Sequence, residues 1–166
     1  MQNISDASLR QLVEEVAALL INQHKSLVTA ESCTGGWVAK CCTDLAGSSA
    51  WFERGFVTYS NDAKTDELGV LPATLDKNGA VSLPVVEEMA LGALAHSSAD
   101  VSVAITGIAG PDGGSTDKPV GTVWIGWAIK NGVVHSICFQ FRGNREAVRR
   151  QAVFEALTGI IKNARD

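Results

Sequence analysis

Thr29-Ala30-Glu31-Ser32-Cys33-Thr34-Gly35-Gly36 carries the end of a short apolar strand, Ser26 to Ala30, through a small polar turn into a helix that runs from about Gly36 to Leu45. Glycine has no Cβ, so two in succession let the chain turn sharply and let a ligand come close to the main chain. The helix that follows points free N–H groups and the positive end of its dipole at the same place. Ser32 is therefore a candidate nucleophile or phosphate neighbour. Taken alone, the turn reads first as an ordinary strand-to-helix corner with a Ser or Thr cap, and other segments have to shift that reading.

Outward from this corner, helices and strands alternate. Ser5 can cap a helix that ends near Gln23, in which Leu9, Leu12, Val13, Val16, Leu19 and Leu20 recur at helical spacing. After Gly47-Ser48-Ser49-Ala50, the run Phe56-Val57-Thr58-Tyr59 favours a second strand over Gly55 to Ser60, and Asn61-Asp62 opens a short helix carrying Lys64. Leu71 to Gly79 is a turn-rich link with about one helical turn. Ser82 as N-cap and Pro84 in the first turn then open a helix to about Ser97. Val101 to Thr106 reads as a buried strand. Thr122 to Ile129 and Val133 to Phe141 form a hairpin around Asn131-Gly132, and a last helix spans about Arg145 to Lys162. The expected architecture is a single domain over residues 1–166, a three-layer α/β/α sandwich. Its sheet is mixed and mostly parallel, with a C-terminal antiparallel hairpin.

Composition narrows the function. The chain has 166 residues, 46% of them apolar, enough for a substantial core. A net charge of −4 and no extended Lys/Arg run argue against a nucleic-acid surface, and the basic cluster Arg142, Arg145, Arg149 and Arg150 is local, suited to one phosphate or carboxylate or to a solvated helix face. No stretch approaches the ~20 apolar residues of a membrane span, and the N-terminus lacks a leader pattern, so a soluble cytoplasmic protein without a membrane partner is expected. Cys33, Cys41, Cys42 and Cys138 lack zinc-site spacing, so no metal ligand set and mostly structural, reduced thiols are expected; no cofactor is expected either. His24, His96 and His135 lie in unrelated contexts, which removes a Ser–His solution.

In open α/β sheets ligands gather at the carboxyl ends of the strands. The Ser32 turn, Tyr59-Ser60 and the glycine-rich loop Gly107-Ile108-Ala109-Gly110-Pro111-Asp112-Gly113-Gly114 all follow expected strands. A serine needs a base, and a lysine made neutral by burial can serve. Lys64, five residues after Tyr59, can reach back over the strand end, with Tyr59 relaying a proton or orienting it. Glu31 can balance a charged Lys64 or accept from substrate. Ser48, Ser49 and Thr106 are further loop hydroxyls that serve equally as caps and turn formers. Cys33 is the rival nucleophile at the same helix N-terminus.

Three segments resemble the CinA C-terminal domain family, and within it the stand-alone nicotinamide mononucleotide deamidases. They are TAESCTGGWVA at Thr29 to Ala39, GSSAWFERGFVTYSNDAK at Gly47 to Lys64, and GIAGPDGG at Gly107 to Gly114 followed by KPVGTVWIG at Lys118 to Gly126. The resemblance implies hydrolysis of the carboxamide of nicotinamide mononucleotide to nicotinate mononucleotide and ammonia, in pyridine nucleotide salvage. It implies a serine nucleophile assisted by lysine and tyrosine, here Ser32, Lys64 and Tyr59. It further implies an oxyanion site of main-chain amides around Cys33, Thr34, Gly35 and Gly36 or near Ser48-Ser49. Thr106, Gly107, Ala109, Gly110 and Arg145 would hold the nucleotide, with Arg142 as the alternative phosphate ligand. A homo-oligomer, preferably a dimer, is expected from the family. The additional N-terminal domain of longer CinA proteins is expected to be absent. A nucleotide-binding or regulatory module of the same fold, without hydrolysis, is the alternative.

Overall fold

The computed structural model describes residues 4–165. Their order is α1 (Asp6–Asn22), β1 (Leu27–Glu31), α2 (Trp37–Asp44), a 3₁₀ turn (Ser48–Ala50), β2 (Phe52–Val57), α3 (Asn61–Leu68), α4 (Pro72–Asn78), α5 (Leu83–Ala95), β3 (Val101–Gly107), β4 (Thr122–Ile129), β5 (Val134–Gln140) and α6 (Arg145–Asn163). The sheet order is β2-β1-β3-β4-β5. Strand β1 is parallel to both β2 and β3, whereas β4 runs antiparallel to β3 and to β5. Only β4 is therefore reversed, which makes the sheet mixed and mostly parallel in direction, closed by the expected hairpin.

Alternation along the strands divides the core in two. Leu27, Val103 and Ile105 face the layer of α1, α2 and α6, where they pack with Leu9, Val13, Val38 and Leu157. Val28, Ala30 and Ala104 face the other layer, where Leu68 of α3, Leu75 of α4 and Val86 and Met89 of α5 cover them. Helix α1 starts on the expected Ser5 cap, in a capping box completed by Ser8. On the first face, Trp127 of β4 donates its indole N–H to Ala156 O at 2.9 Å, tying α6 to the sheet.

Several boundaries differ from the sequence-based expectation. Strand β2 begins at Phe52 and ends at Val57, because Phe52 pairs with Leu27 at the start of β1. Tyr59 and Ser60 therefore lie beyond the strand, and the Ser60 hydroxyl caps α3 by accepting from Ala63 N at 3.1 Å. The link expected between Leu71 and Gly79 is mostly helix α4, begun by Pro72 at its first turn. Ser82 occupies the N-cap of α5 but makes no cap bond with its side chain, which donates instead to Gly79 O at 2.8 Å.

Candidate active site

The Ser32 turn is held from both sides by the sheet. Ser32 N donates to Ile105 O at 3.0 Å and Thr58 N donates to Glu31 O at 2.9 Å, so the pairings of β1 with β3 and β2 continue one step past the strand ends. This sets Ser32 beside Thr58. Gly35 and Gly36 both have positive φ, +60° and +93°, conformations a side-chain-bearing residue adopts only under strain, and they turn the chain into α2.

Lys64 lies in the first turn of α3, where a side chain leans back toward the helix N-terminus and hence toward the end of β2. Its Nζ lies 3.0 Å from Ser32 Oγ and donates to Thr58 O at 3.0 Å, with Tyr59 O at 3.4 Å. Lys64 is 1% exposed and Ser32 8%. Burial lowers the proton affinity of Lys64 below that of an ordinary lysine. Ser60 O lies 3.5 Å away as well, so three carbonyls surround the amine, and in its neutral form the one lone pair is available to the Ser32 hydroxyl.

Cys33 is less suited to react. It is buried, and desolvation pushes its thiol up to about 12, in spite of the helix that follows. Glu31 differs from its expected role. It is buried, and its carboxylate oxygens accept from Val38 N at 2.8 Å and Ala39 N at 3.0 Å, so it caps α2 and faces neither Lys64 nor an open ligand site. Burial raises its pKa, against the lowering effect of those amides.

Tyr59 is brought to the site in a different way from the proton relay considered above. The residue is 61% exposed and its hydroxyl accepts from Arg145 Nη2 at 3.0 Å, while Lys64 faces its carbonyl. Arg145 also donates to Gly110 O at 2.8 Å, joining α6, the Tyr59 segment and the glycine loop across the strand ends. Thr106 donates to Ala80 O at 2.9 Å and is buried, and Ala109 is buried beneath the loop. Gly107 packs so closely on β4 that a Cβ there would lie 2.7 Å from Val123 Cγ2. Arg142 is exposed.

Ser48 and Ser49 fall outside this cluster. Trp51 O, just after their 3₁₀ turn, accepts from Leu27 N at the start of β1, so both serines sit at the opposite end of the strand from Ser32. At about 3.3 Å per residue that separation is roughly 17 Å. Sequence reasoning overlooked Arg149 as a site residue. It donates to Cys33 O and Thr34 O, both at 3.0 Å, and only its place in the basic cluster marked it.

Among the described residues, no three His, Cys, Asp or Glu side chains gather to hold a metal ion. No helix there is long and apolar enough to cross a membrane. A cleft of about 780 Å³ opens behind the turn, where Thr34 to Trp37 share its walls with α1, Arg149 and Arg150. Neither Ser32 nor Lys64 lines it.

Fold and site together define an α/β domain that presents a lysine-contacted serine on a glycine turn at the strand ends. The chain belongs to the CinA C-terminal domain family, which matches residues 9–164. It is 58% identical over 156 residues to the nicotinamide-nucleotide amidohydrolase PncC of Escherichia coli strain K12, covering 93% of each chain. It is 57% identical over 164 residues to the protein of that name from Enterobacter agglomerans, covering 96% of this chain and 100% of that one. The crystal structure of the competence/damage inducible protein CihA from Agrobacterium tumefaciens superposes with a TM-score of 0.92 at 43% identity, over 98% of each chain.

Proposed function

We propose that this chain is a nicotinamide-nucleotide amidohydrolase that converts nicotinamide mononucleotide to nicotinate mononucleotide and ammonia. The observation that carries the reading is the 3.0 Å contact between buried Lys64 Nζ and Ser32 Oγ at the strand ends. The high identity to proteins named for that activity, over nearly the whole chain, supports the substrate class.

In this reading neutral Lys64 takes the proton of Ser32 Oγ as the oxygen attacks the carboxamide carbon. The C–N bond of the tetrahedral adduct then breaks, and Lys64 returns the proton to the leaving nitrogen, which departs as ammonia. The nicotinoyl group is left as an ester on Ser32. Water, deprotonated by the same lysine, attacks that ester and releases nicotinate mononucleotide and free serine. Tyr59 assists through its carbonyl, which orients Lys64, and through its hydroxyl, which holds Arg145. Arg145 then offers its guanidinium to the nucleotide phosphate beside the Gly107 to Gly110 loop. The reaction serves pyridine nucleotide salvage in the cytoplasm, carried out by one domain acting as a homodimer.

The test is an assay of ammonia and nicotinate mononucleotide from purified protein and nicotinamide mononucleotide. Stoichiometric formation of both is expected. Saturable binding of the nucleotide with no ammonia would instead make the chain a nucleotide-binding module.

A further inference from the structure

In the basic cluster of α6, Arg149 differs from its neighbours in being held by two main-chain carbonyls. Arg150 pairs with Asp6 and Glu146, and Arg145 bridges Gly110 O and the Tyr59 hydroxyl. Arg149 instead donates Nε to Cys33 O and Nη2 to Thr34 O, each at 3.0 Å, with its guanidinium 5.3 Å from the centre of the Trp37 ring. One planar fork thus grips two successive carbonyls of the Ser32 turn.

A trans peptide unit is planar, so its C=O and N–H point opposite ways. Holding Cys33 O toward α6 turns the Thr34 N–H away from that layer, toward the side from which Lys64 of α3 reaches Ser32. The other amides of the turn are engaged. Gly35 N donates to Ser32 O and Trp37 N to Thr34 O, Val38 N and Ala39 N go to Glu31, and the Gly36 amide faces the same carboxylate. The Thr34 N–H finds no acceptor among the described residues, and neither does that of Cys33. A cation on the carbonyl side polarises the Cys33–Thr34 peptide and strengthens its N–H as a donor.

We propose that Arg149 is a positioning residue for the oxyanion site: it holds the Cys33–Thr34 peptide so that the Thr34 N–H receives the charge developing on the carboxamide oxygen. The Cys33 N–H is the second donor to the same oxygen. This rests on the amidohydrolase reading. It also separates the two arginines by role, since Arg145 meets the phosphate and Arg149 never touches substrate.

Arg149→Ala removes the fork, and Arg149→Lys keeps the charge and the stem over Trp37 but loses the paired geometry. With nicotinamide mononucleotide as substrate, kcat of the alanine variant is expected to fall about 10²-fold, the scale of one lost oxyanion donor. KM should stay within about threefold, as for an interaction made only in the transition state. The pH at which the rate rises should not move, and added guanidinium ion should restore part of kcat. Arg149→Lys should fall between, and it carries the test if the alanine variant does not fold. Variants with kcat near wild type, or with the loss confined to KM, overturn the proposal. A wild-type protein that releases no ammonia overturns the amidohydrolase reading itself, and shows this without any Arg149 variant.

Discussion

Lys64 Nζ sits 3.0 Å from Ser32 Oγ across a separation of 32 residues, both side chains buried where β1 and β2 end. The parallel pairing of β1 with β2 makes this meeting possible, because it brings Ser32 and Thr58 side by side and starts α3 within reach. A buried lysine with no carboxylate partner among the described residues is costly to keep charged. In the proposed mechanism that cost prepares it to take a proton.

The rate of ammonia release should therefore rise with pH as Lys64 loses its proton, with the rise centred below the ordinary lysine value of 10.5. Lys64→Ala should lower kcat by about 10²- to 10⁴-fold and abolish that limb. A pH–rate profile on both proteins decides it; an unchanged limb in the variant would remove Lys64 from the role of base.

Stability should carry the same signature. With its folded pKa lowered, Lys64 binds fewer protons in the folded state than in the unfolded one between that value and 10.5, so wild-type stability rises with pH across that window. Lys64→Met lacks this rise. The variant should be more stable than wild type by about 1 kcal/mol or more at neutral pH, with the advantage shrinking as pH approaches 10. Urea midpoints at several pH values measure the difference, and a pH-independent difference would contradict the account.

Glu31→Gln tests the α2 cap. Its carboxylate accepts from Val38 N and Ala39 N, and a carboxamide must turn its NH₂ toward one of them. One buried donor left unmet should lower unfolding free energy by about 1–3 kcal/mol. Denaturant melts of the two proteins give the number, and equal midpoints would show that the cap is not needed.

Arg145→Ala separates phosphate binding from chemistry. Loss of a charge-assisted contact of about 1.5–3 kcal/mol should raise KM for nicotinamide mononucleotide roughly 10- to 100-fold. For nicotinamide riboside, which has no phosphate, kcat/KM should be nearly unchanged. Equal losses on both substrates would assign Arg145 to holding Tyr59 and Gly110 alone.

Much of this site can be read in the sequence, for a physical reason. Residues that follow parallel strands converge, so the order of elements along the chain already groups Ser32, Lys64 and the Gly107 loop. Strand-forming side chains at Phe56 to Tyr59 mislead about β2, because its limits are set by its register with Leu27 and not by local preference. The burial of Glu31 depends on α2 folding back over the strand end, and the Arg149 contact spans 116 residues from α6 to Cys33. Neither leaves a local signal. Ser48 and Ser49 mislead in the opposite sense, since a serine pair in a turn looks the same at either end of a strand.

The most direct test of the central claim is kcat for ammonia release from nicotinamide mononucleotide by Ser32→Ala and Cys33→Ala, measured beside wild type. The account predicts turnover lost to background in Ser32→Ala and kept near wild type in Cys33→Ala, whose thiol burial pushes up to about 12. Turnover that survives in Ser32→Ala, or disappears only in Cys33→Ala, would contradict it.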